Sequence, residues 1–468
     1  MPTRTNELRR VITLPGAVGV GLGSIIGTGA FVTLGLGASM AGPWLLLAIA
    51  LAGGVAMCNG LSSAQLAAVH PVSGGTYAYG TRFIHPWAGF AAGWVFLVAK
   101  SASCATAALG FGGLVAWITG KPGEAWPMTL AALGSLLVVT AAALAGVTRS
   151  VRFNWVLLAI TGLSLVTMVI AAGPAALRGF GELSWSAVGG TPISAPGVLE
   201  AAALAFVAFA GFARIATMGE EVLEPRWTIP RAVVITLLAA IVLYAFVALI
   251  GLGVLGPTNF AARSAQDAAP LLGVARAVEA PTLGWMLAAG SASALLAVQL
   301  NLVMGLSRVA LAAGRERDLP ASLARIDRHG VPMIATIAVT LGVTGVVLIG
   351  SVTIAWSLAA CAVLVYYAIT NLAAMRVADE HGVRFIARWV HAVGLAGCLS
   401  LVVFVEPIAL AVMGGLVAVG FAVRWACRRL QPEPQPPSSG ATGSSSPSPS
   451  GSAGASPSSP SGSPASSI

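Results

Sequence analysis

The sequence predicts an all-α, polytopic membrane protein of about 12 transmembrane helices, and three observations carry that reading. Of its 468 residues 57% are hydrophobic and only 9% are charged, whereas soluble domains run near one quarter charged. Apolar stretches of about 20 residues, long enough to cross a bilayer core, recur near 14–41, 43–68, 86–117, 128–147, 153–176, 198–221, 230–255, 283–312, 331–350, 353–374, 388–405 and 407–426. Their length and continuity exclude the short alternating segments of a membrane β-barrel. With the N-terminus placed inside and the sides alternating, nineteen of the 25 Lys and Arg fall inside. Lys121, Arg178, Arg263 and Arg276 fall outside, while Lys100 and Arg214 lie within spans. This positive-inside bias sets the orientation, so the net charge of +9 reports topology and not a nucleic-acid partner.

Taken in order, residues 1–13 form a basic cytoplasmic N-terminus, MPTRTNELRR at its start. The following segment is long and glycine-interrupted without a clean cleavage site, and reads as an uncleaved first span. Residues 14–430 make up the transmembrane domain, in which the longest connection, 256–282, lies outside and holds a short helix near Ala268–Ala280. Beyond Leu430 the chain turns to Ser, Pro and Gly with one charge, Glu433, a composition that cannot build a core, so 431–468 reads as a disordered cytoplasmic tail. The five cysteines all fall in spans and none has metal-ligand spacing, so they read as packing residues, with no metal and no cofactor implied.

Two spans differ from the rest. The first contains GVGLGSIIGTG, five glycines in eleven residues, and the sixth contains FVAFAGFAR with Gly211 near mid-membrane. Each interior glycine weakens a helix by about 1 kcal/mol relative to alanine. Interrupted helices at matching positions of two halves point to a transporter built of 5+5 inverted repeats. An unwound segment around Ser24–Gly29 presents N–H groups that suit a carboxylate, and freed carbonyls around Phe209–Phe212 suit an ammonium group. Together they suit a zwitterion. GxxxG helix packing through Gly19, Gly23 and Gly27 is the alternative, and it explains two or three glycines better than five.

GSIIGTGAF (23–31), PVSGGTYAYG (71–80), GEEVLEPRWTIPRAV (219–233) and SRVALAAGRERDLP (307–320) resemble signature segments of the amino acid–polyamine–organocation permeases. The resemblance covers most of the chain except the tail. It implies the leucine-transporter fold, with broken helices 1 and 6 and two further helices after ten. It also implies substrate between the breaks, at Ser24, Ile26, Gly27, Thr28 and Gly29 of the first and at Phe206, Phe209, Ala210, Gly211 and Phe212 of the sixth. The expected activity is secondary active transport of an amino acid or related small amine across the cytoplasmic membrane, with a proton or, in the alternative, Na⁺ as the coupling ion. Exchange and a non-transporting nutrient sensor on the same fold stay open. A channel and a membrane enzyme have no supporting pore ring or catalytic spacing.

Lys100, near the middle of the third span, is an intramembrane cation and functional by default. Many proton-coupled relatives carry a lysine in helix five, where this chain has Thr161. Lys100 is then a candidate for the displaced coupling charge, and Thr161 with Ser291 or Ser293 is the rival, a set of Na⁺ ligands. Asn301 reads either as a substrate contact or as a helix–helix hydrogen bond, and His70 and His85 as loop structure or pH sensor. Glu220 and Glu221 sit at a helix C-terminus, where the dipole disfavours acids. We expect an inner-side latch there, with Arg226 or Arg231 as partner. Arg214, just after the break, reads as a structural pair with Glu220 or Glu221, or as a substrate sensor. Pro225 should end one helix and Pro230 open the next.

Overall fold

In a computed structural model the described residues are 8, 10–27, 29–120, 125–266, 271–327, 330–349, 352–380, 386–404 and 407–430. Thr28, Lys121 and the Ser/Pro/Gly tail lie outside them. Within them are the helices Leu14–Ile25 with its continuation to Leu36 (span 1), Leu45–Val69 (2), Pro86–Ile118 (3), Ala125–Leu144 (4) and Val147–Gly181 (5). Then follow Ala195–Phe209 with its continuation to Ala216 (6), Pro225–Gln266 (7), Pro281–Arg315 (8), Met333–Ile349 (9), Val352–Glu380 (10), Arg388–Val402 (11) and Pro407–Leu430 (12). Ten are long and apolar enough to cross a membrane, and the apolar helices at spans 9 and 11 are shorter.

The packing comes in symmetry-related pairs. Span 5 packs on span 8 as span 10 packs on span 3, and span 1 packs on span 7 as span 6 packs on span 2. Spans 2 and 7, and spans 3 and 8, pack on each other directly. A pseudo-twofold relating spans 1–5 to 6–10 generates this set, so the inverted-repeat fold is present. Span 8 is the most enclosed helix. Spans 4, 5, 7, 9 and 12 expose Leu137, Ile170, Leu238, Leu341 and Val419 outward, as lipid-facing helices do. Six of the exposed tryptophans, Trp87, Trp126, Trp227, Trp285, Trp389 and Trp425, fall near span ends, where amphipathic rings favour the interface.

Two details depart from expectation. Span 7 starts at Pro225, and Pro230 sits inside it. Pro225 supplies a first-turn φ without needing an N–H, so the helix begins there. The regular helix ends at Gly256 (φ 75°) immediately before Pro257. A small hairpin pairs Ala187–Val188 with Thr191–Pro192; its turn residues Gly189 and Gly190 have φ of 57° and 84°, the double left-handed turn that glycine permits. The short helix between spans 7 and 8 runs over Leu271–Ala277.

A buried polar cluster ties span 2 to spans 10 and 11. Ser62 Oγ lies 2.7 Å from both Asn371 Oδ1 and His391 Nδ1, and Asn371 Nδ2 donates to Asn59 Oδ1 at 2.6 Å. Side-chain hydrogen bonds between membrane helices contribute on average about 0.6 kcal/mol each.

Candidate functional site

Span 1 breaks where the glycines run out of helix. The α-helix ends at Ile25, with the Ile26 N–H still bonded to Leu22 O, and the chain resumes as one wide turn over Gly29–Thr33. The Ser24 hydroxyl is used inside the helix, donating to Val20 O at 2.7 Å. The packing alternative proves to hold beside the break, because each of the five glycines seats a neighbour. A Cβ at Gly19 would meet Trp155 of span 5, at Gly21 Ile215 and Thr236, at Gly23 Asn154 and Asn301, at Gly27 Val298, and at Gly29 the Tyr244 hydroxyl. Four different helices are served, so this is not one GxxxG dimer face.

The break in span 6 is shallower than an unwound segment. The helix tightens to a 3₁₀ turn over Ala210–Phe212 and continues as Ala213–Ala216. Such a turn keeps its i→i+3 bonds, so fewer carbonyls are freed than the sequence reading supposed. Gly211 rests directly on span 1: a Cβ there would run into the Ser24 carbonyl and lie 2.7 Å from Ile25 Cγ1. The two breaks therefore touch.

Tyrosines complete the contact. The Tyr244 hydroxyl lies 2.6 Å from Ile25 O and 3.1 Å from Ala208 O, bridging both breaks, and Tyr367 donates to Ala210 O at 3.2 Å. Phe209 tilts onto Tyr244, Phe212 stacks on Tyr367, and Phe206 meets Tyr367 edge-on. Sequence reasoning missed Tyr244 and Tyr367. A signal was present: the chain has only 5 tyrosines, and a phenol placed in a membrane span must find a polar partner.

The coupling candidates divide into two places. Lys100, 5% exposed, falls one helical turn from Phe96, which packs on Tyr366, and one from Cys104, which meets Gln299 O. By helix register it faces spans 8 and 10, and none of the described carboxylates pairs with it. Thr161 Oγ1 lies 2.9 Å from Ser293 Oγ, and the Ser291 hydroxyl is buried without a partner among the described residues. Beside them Asn301 donates to Asn154 Oδ1 at 2.6 Å, and Asn154 donates to Gly19 O at 2.7 Å. Asn301 thus joins helices 1, 5 and 8 as the interhelical reading required.

At the arginine-rich end the acids are paired, though not with the expected arginines. Glu221 takes Arg308 Nε at 3.2 Å and Nη2 at 2.5 Å, side by side. The two side chains are 1% and 2% exposed. Glu220 pairs with Arg315 at 2.9 Å and accepts from Ser73 N. Arg226 and Arg231 point outward at the start of span 7, with Arg231 over the Trp227 ring. Arg214 pairs with neither acid; its Nη1 donates to Thr217 Oγ1 at 3.0 Å. The loop is tied down further by the N-terminus, where Val11 and Ile12 N–H groups donate to Glu221 O and Leu223 N donates to Ile12 O. Burial raises the Glu221 carboxyl's pKa, but the charge and hydrogen bonds of Arg308, with Arg214 nearby, outweigh burial and hold it below the ordinary value. Nearby, Tyr77 donates to Asp318, which also takes Arg424 and Arg428. Burial first, and the Asp318 charge second, push the Tyr77 hydroxyl up, so it stays a donor.

Two inverted repeats with interrupted helices meeting at the centre define a secondary-transporter architecture. The chain belongs to the amino acid permease family, which matches residues 16–417. It is 38% identical over 424 residues to an uncharacterized transporter of Mycobacterium tuberculosis (strain ATCC 25618 / H37Rv), covering 89% of this chain and 91% of that one. It is 28% identical over 334 residues to a branched-chain amino acid permease of Bacillus subtilis (strain 168), 68% and 70% of the two chains. It is 25% identical over 339 residues to a methylthioribose transporter of the same organism, 69% and 71% of the two. The protein is a multi-pass membrane transporter.

Proposed function

We propose that the protein carries an amino acid or related small amine across the cytoplasmic membrane by alternating access, with both termini and the arginine-rich end on the cytoplasmic side. The observation that carries this reading is the meeting of the two breaks, Gly211 on Ser24 with the Tyr244 hydroxyl between Ile25 and Ala208. Backbone polar groups persist in a membrane only where they line a cavity or find partners. Here tyrosine hydroxyls hold carbonyls that a substrate ammonium takes over when the breaks part. Ser24, Ile26, Gly27 and Gly29, with Thr28 outside the described residues, present the carboxylate side. Phe209, Ala210 and Gly211 present the amine side, walled by Phe206 and Phe212. Glu220 and Glu221, on Arg315 and Arg308, latch the cytoplasmic end.

Coupling is to a proton, with Lys100 as the titrating group: it is buried, and no described carboxylate neutralises it. A second reading rests on the hydroxyl pair of Thr161 and Ser293 with the unpartnered Ser291, an oxygen set suited to Na⁺. Uptake into sodium-free proteoliposomes, with and without an inward proton gradient, separates them. Accumulation of a labelled amino acid that collapses with a protonophore supports proton symport. Uptake that requires sodium or preloaded amino acid refutes it in favour of Na⁺ coupling or exchange. No uptake and no exchange under any condition refutes the transport of amino acids.

A further inference from the structure

Arg214 is 3% exposed and begins one helical turn beyond Gly211, so about 5 Å along the axis from the touching breaks. Its side chain lies across the gap from span 6 to span 8. Span 8 makes room for it with Gly305, where a Cβ would sit 3.1 Å from Arg214 Cδ. The hydroxyl of Thr217 donates to the Arg214 carbonyl at 2.8 Å, which leaves its oxygen free to accept from Nη1. The guanidinium is therefore held in a fixed pose.

The two nitrogens left over are Nε and Nη2, both buried and without a partner among the described residues. These two are not an arbitrary pair. They form one straight edge of the guanidinium, the edge that grips a carboxylate through two parallel hydrogen bonds. Arg308, across the cluster, uses that same edge on Glu221 and its remaining Nη1 on Ser307. Both oxygens of Glu221 are thereby taken. Glu220 is committed to Arg315 and Ser73, and Asp318 to Tyr77, Arg424 and Arg428. Of the two buried guanidinium groups only Arg308 holds the Glu221 carboxylate, and the cluster keeps a surplus positive charge with a bidentate edge open on Arg214. Dewetted charge of this kind is retained where it meets a counter-charge in function.

We infer that Arg214 is a carboxylate-binding residue of the transport pathway, and that the substrate class is the amino acids with an acidic side chain. This rests on the proposal that an amino acid binds between the two breaks. With the α-carboxylate at span 1, the side-chain carboxylate one turn away is the group that closes on Nε and Nη2. A cationic side chain meets the surplus positive charge instead and is rejected.

The test uses the purified full-length protein. Thermal stabilisation in detergent and competition for uptake in proteoliposomes are measured with glutamate, aspartate, leucine and arginine. The expected result is that glutamate or aspartate acts at concentrations at least tenfold lower than leucine, with arginine weakest. Arg214→Gln should lower the glutamate-to-leucine preference at least tenfold. Arg214→Lys keeps the charge but has no two-donor edge, and should lose most of the same preference. Thr217→Val, which removes the oxygen that orients Nη1, should lower it by a smaller factor and serves if the arginine variants fail to fold. A wild-type preference for leucine or arginine overturns the inference while leaving amino acid transport standing. An acidic preference that survives Arg214→Gln also overturns it. A protein that neither binds nor carries any of the four refutes the transport reading along with it.

Discussion

The Glu221–Arg308 pair yields a prediction whose sign depends on Arg214. The pair is fully enclosed and doubly hydrogen-bonded, so salt screens it little, and removing one partner of such a pair costs about 3–5 kcal/mol because the other charge is left buried. The two deletions are not equivalent here. Glu221→Gln leaves two arginines, Arg308 and Arg214, without a carboxylate between them. Arg308→Met leaves Glu221 within electrostatic reach of Arg214, which already lowers its pKa. Arg214 then inherits the carboxylate, and the loss falls to about 1.5–3 kcal/mol, the size of one hydrogen bond to a charged group. The order expected is therefore Glu221→Gln more destabilising than Arg308→Met, by roughly a factor of two in free energy. Thermal unfolding in mild detergent, followed by tryptophan fluorescence, reads it. An Arg308→Met protein that melts below Glu221→Gln would falsify the takeover of Glu221 by Arg214. The pH dependence follows in sign. The folded Glu221 titrates below its unfolded value, near 4.3. Its contribution is thus complete above that pH and lost only as pH falls through the lower folded value. The Glu221–Arg308 pair should not loosen between pH 5 and 8, and a melting temperature that drops across that window through Glu221 contradicts it.

Three further substitutions test the centre. Gly211→Ala drives a methyl into the Ser24 carbonyl, a backbone group that cannot rotate aside, and should abolish uptake while lowering the melting temperature; normal uptake shows that the breaks do not touch in the working protein. Tyr244→Phe removes the one proton that serves Ile25 O and Ala208 O. It should destabilise the closed arrangement by about 1–3 kcal/mol, seen as a lower melting point and an altered KM; wild-type values for both dismiss the bridge. Lys100→Ala should remove proton-driven accumulation, measured with a protonophore control, and an undiminished gradient response sinks the coupling role.

Much of this architecture could be read from composition. The twelve apolar segments, the glycine run of span 1 and the mid-span Gly211 of span 6 located the helices and both interruptions, because a weakened helix announces itself locally. The pairings resisted that treatment. Arg226 and Arg231 are the first arginines to follow Glu221 in the chain, yet its partner Arg308 lies 87 residues away and Glu220's partner Arg315 95 away. The loop after span 6 folds back on the end of span 8, and no local pattern encodes that return. Tyr244 and Tyr367 escaped for the same reason, since the carbonyls they hold belong to other spans. The depth of the second interruption was also illegible. Whether a glycine opens a helix or merely tightens it depends on what presses against it, and here the Ser24 backbone does.

The short pairing of Ile12 with Val222 has a mechanical consequence. It rivets the foot of span 1 to the loop beyond span 6, while Gly211 and Tyr244 rivet the same two helices at Ser24 and Ile25. Twelve or so residues of helix separate the fastenings, a lever of about 18 Å. Two fastenings at different heights resist hinging as well as sliding. The interrupted helices are therefore built to swing as a single beam, and the surfaces free to slip are those where that beam bears on spans 5, 8 and 10.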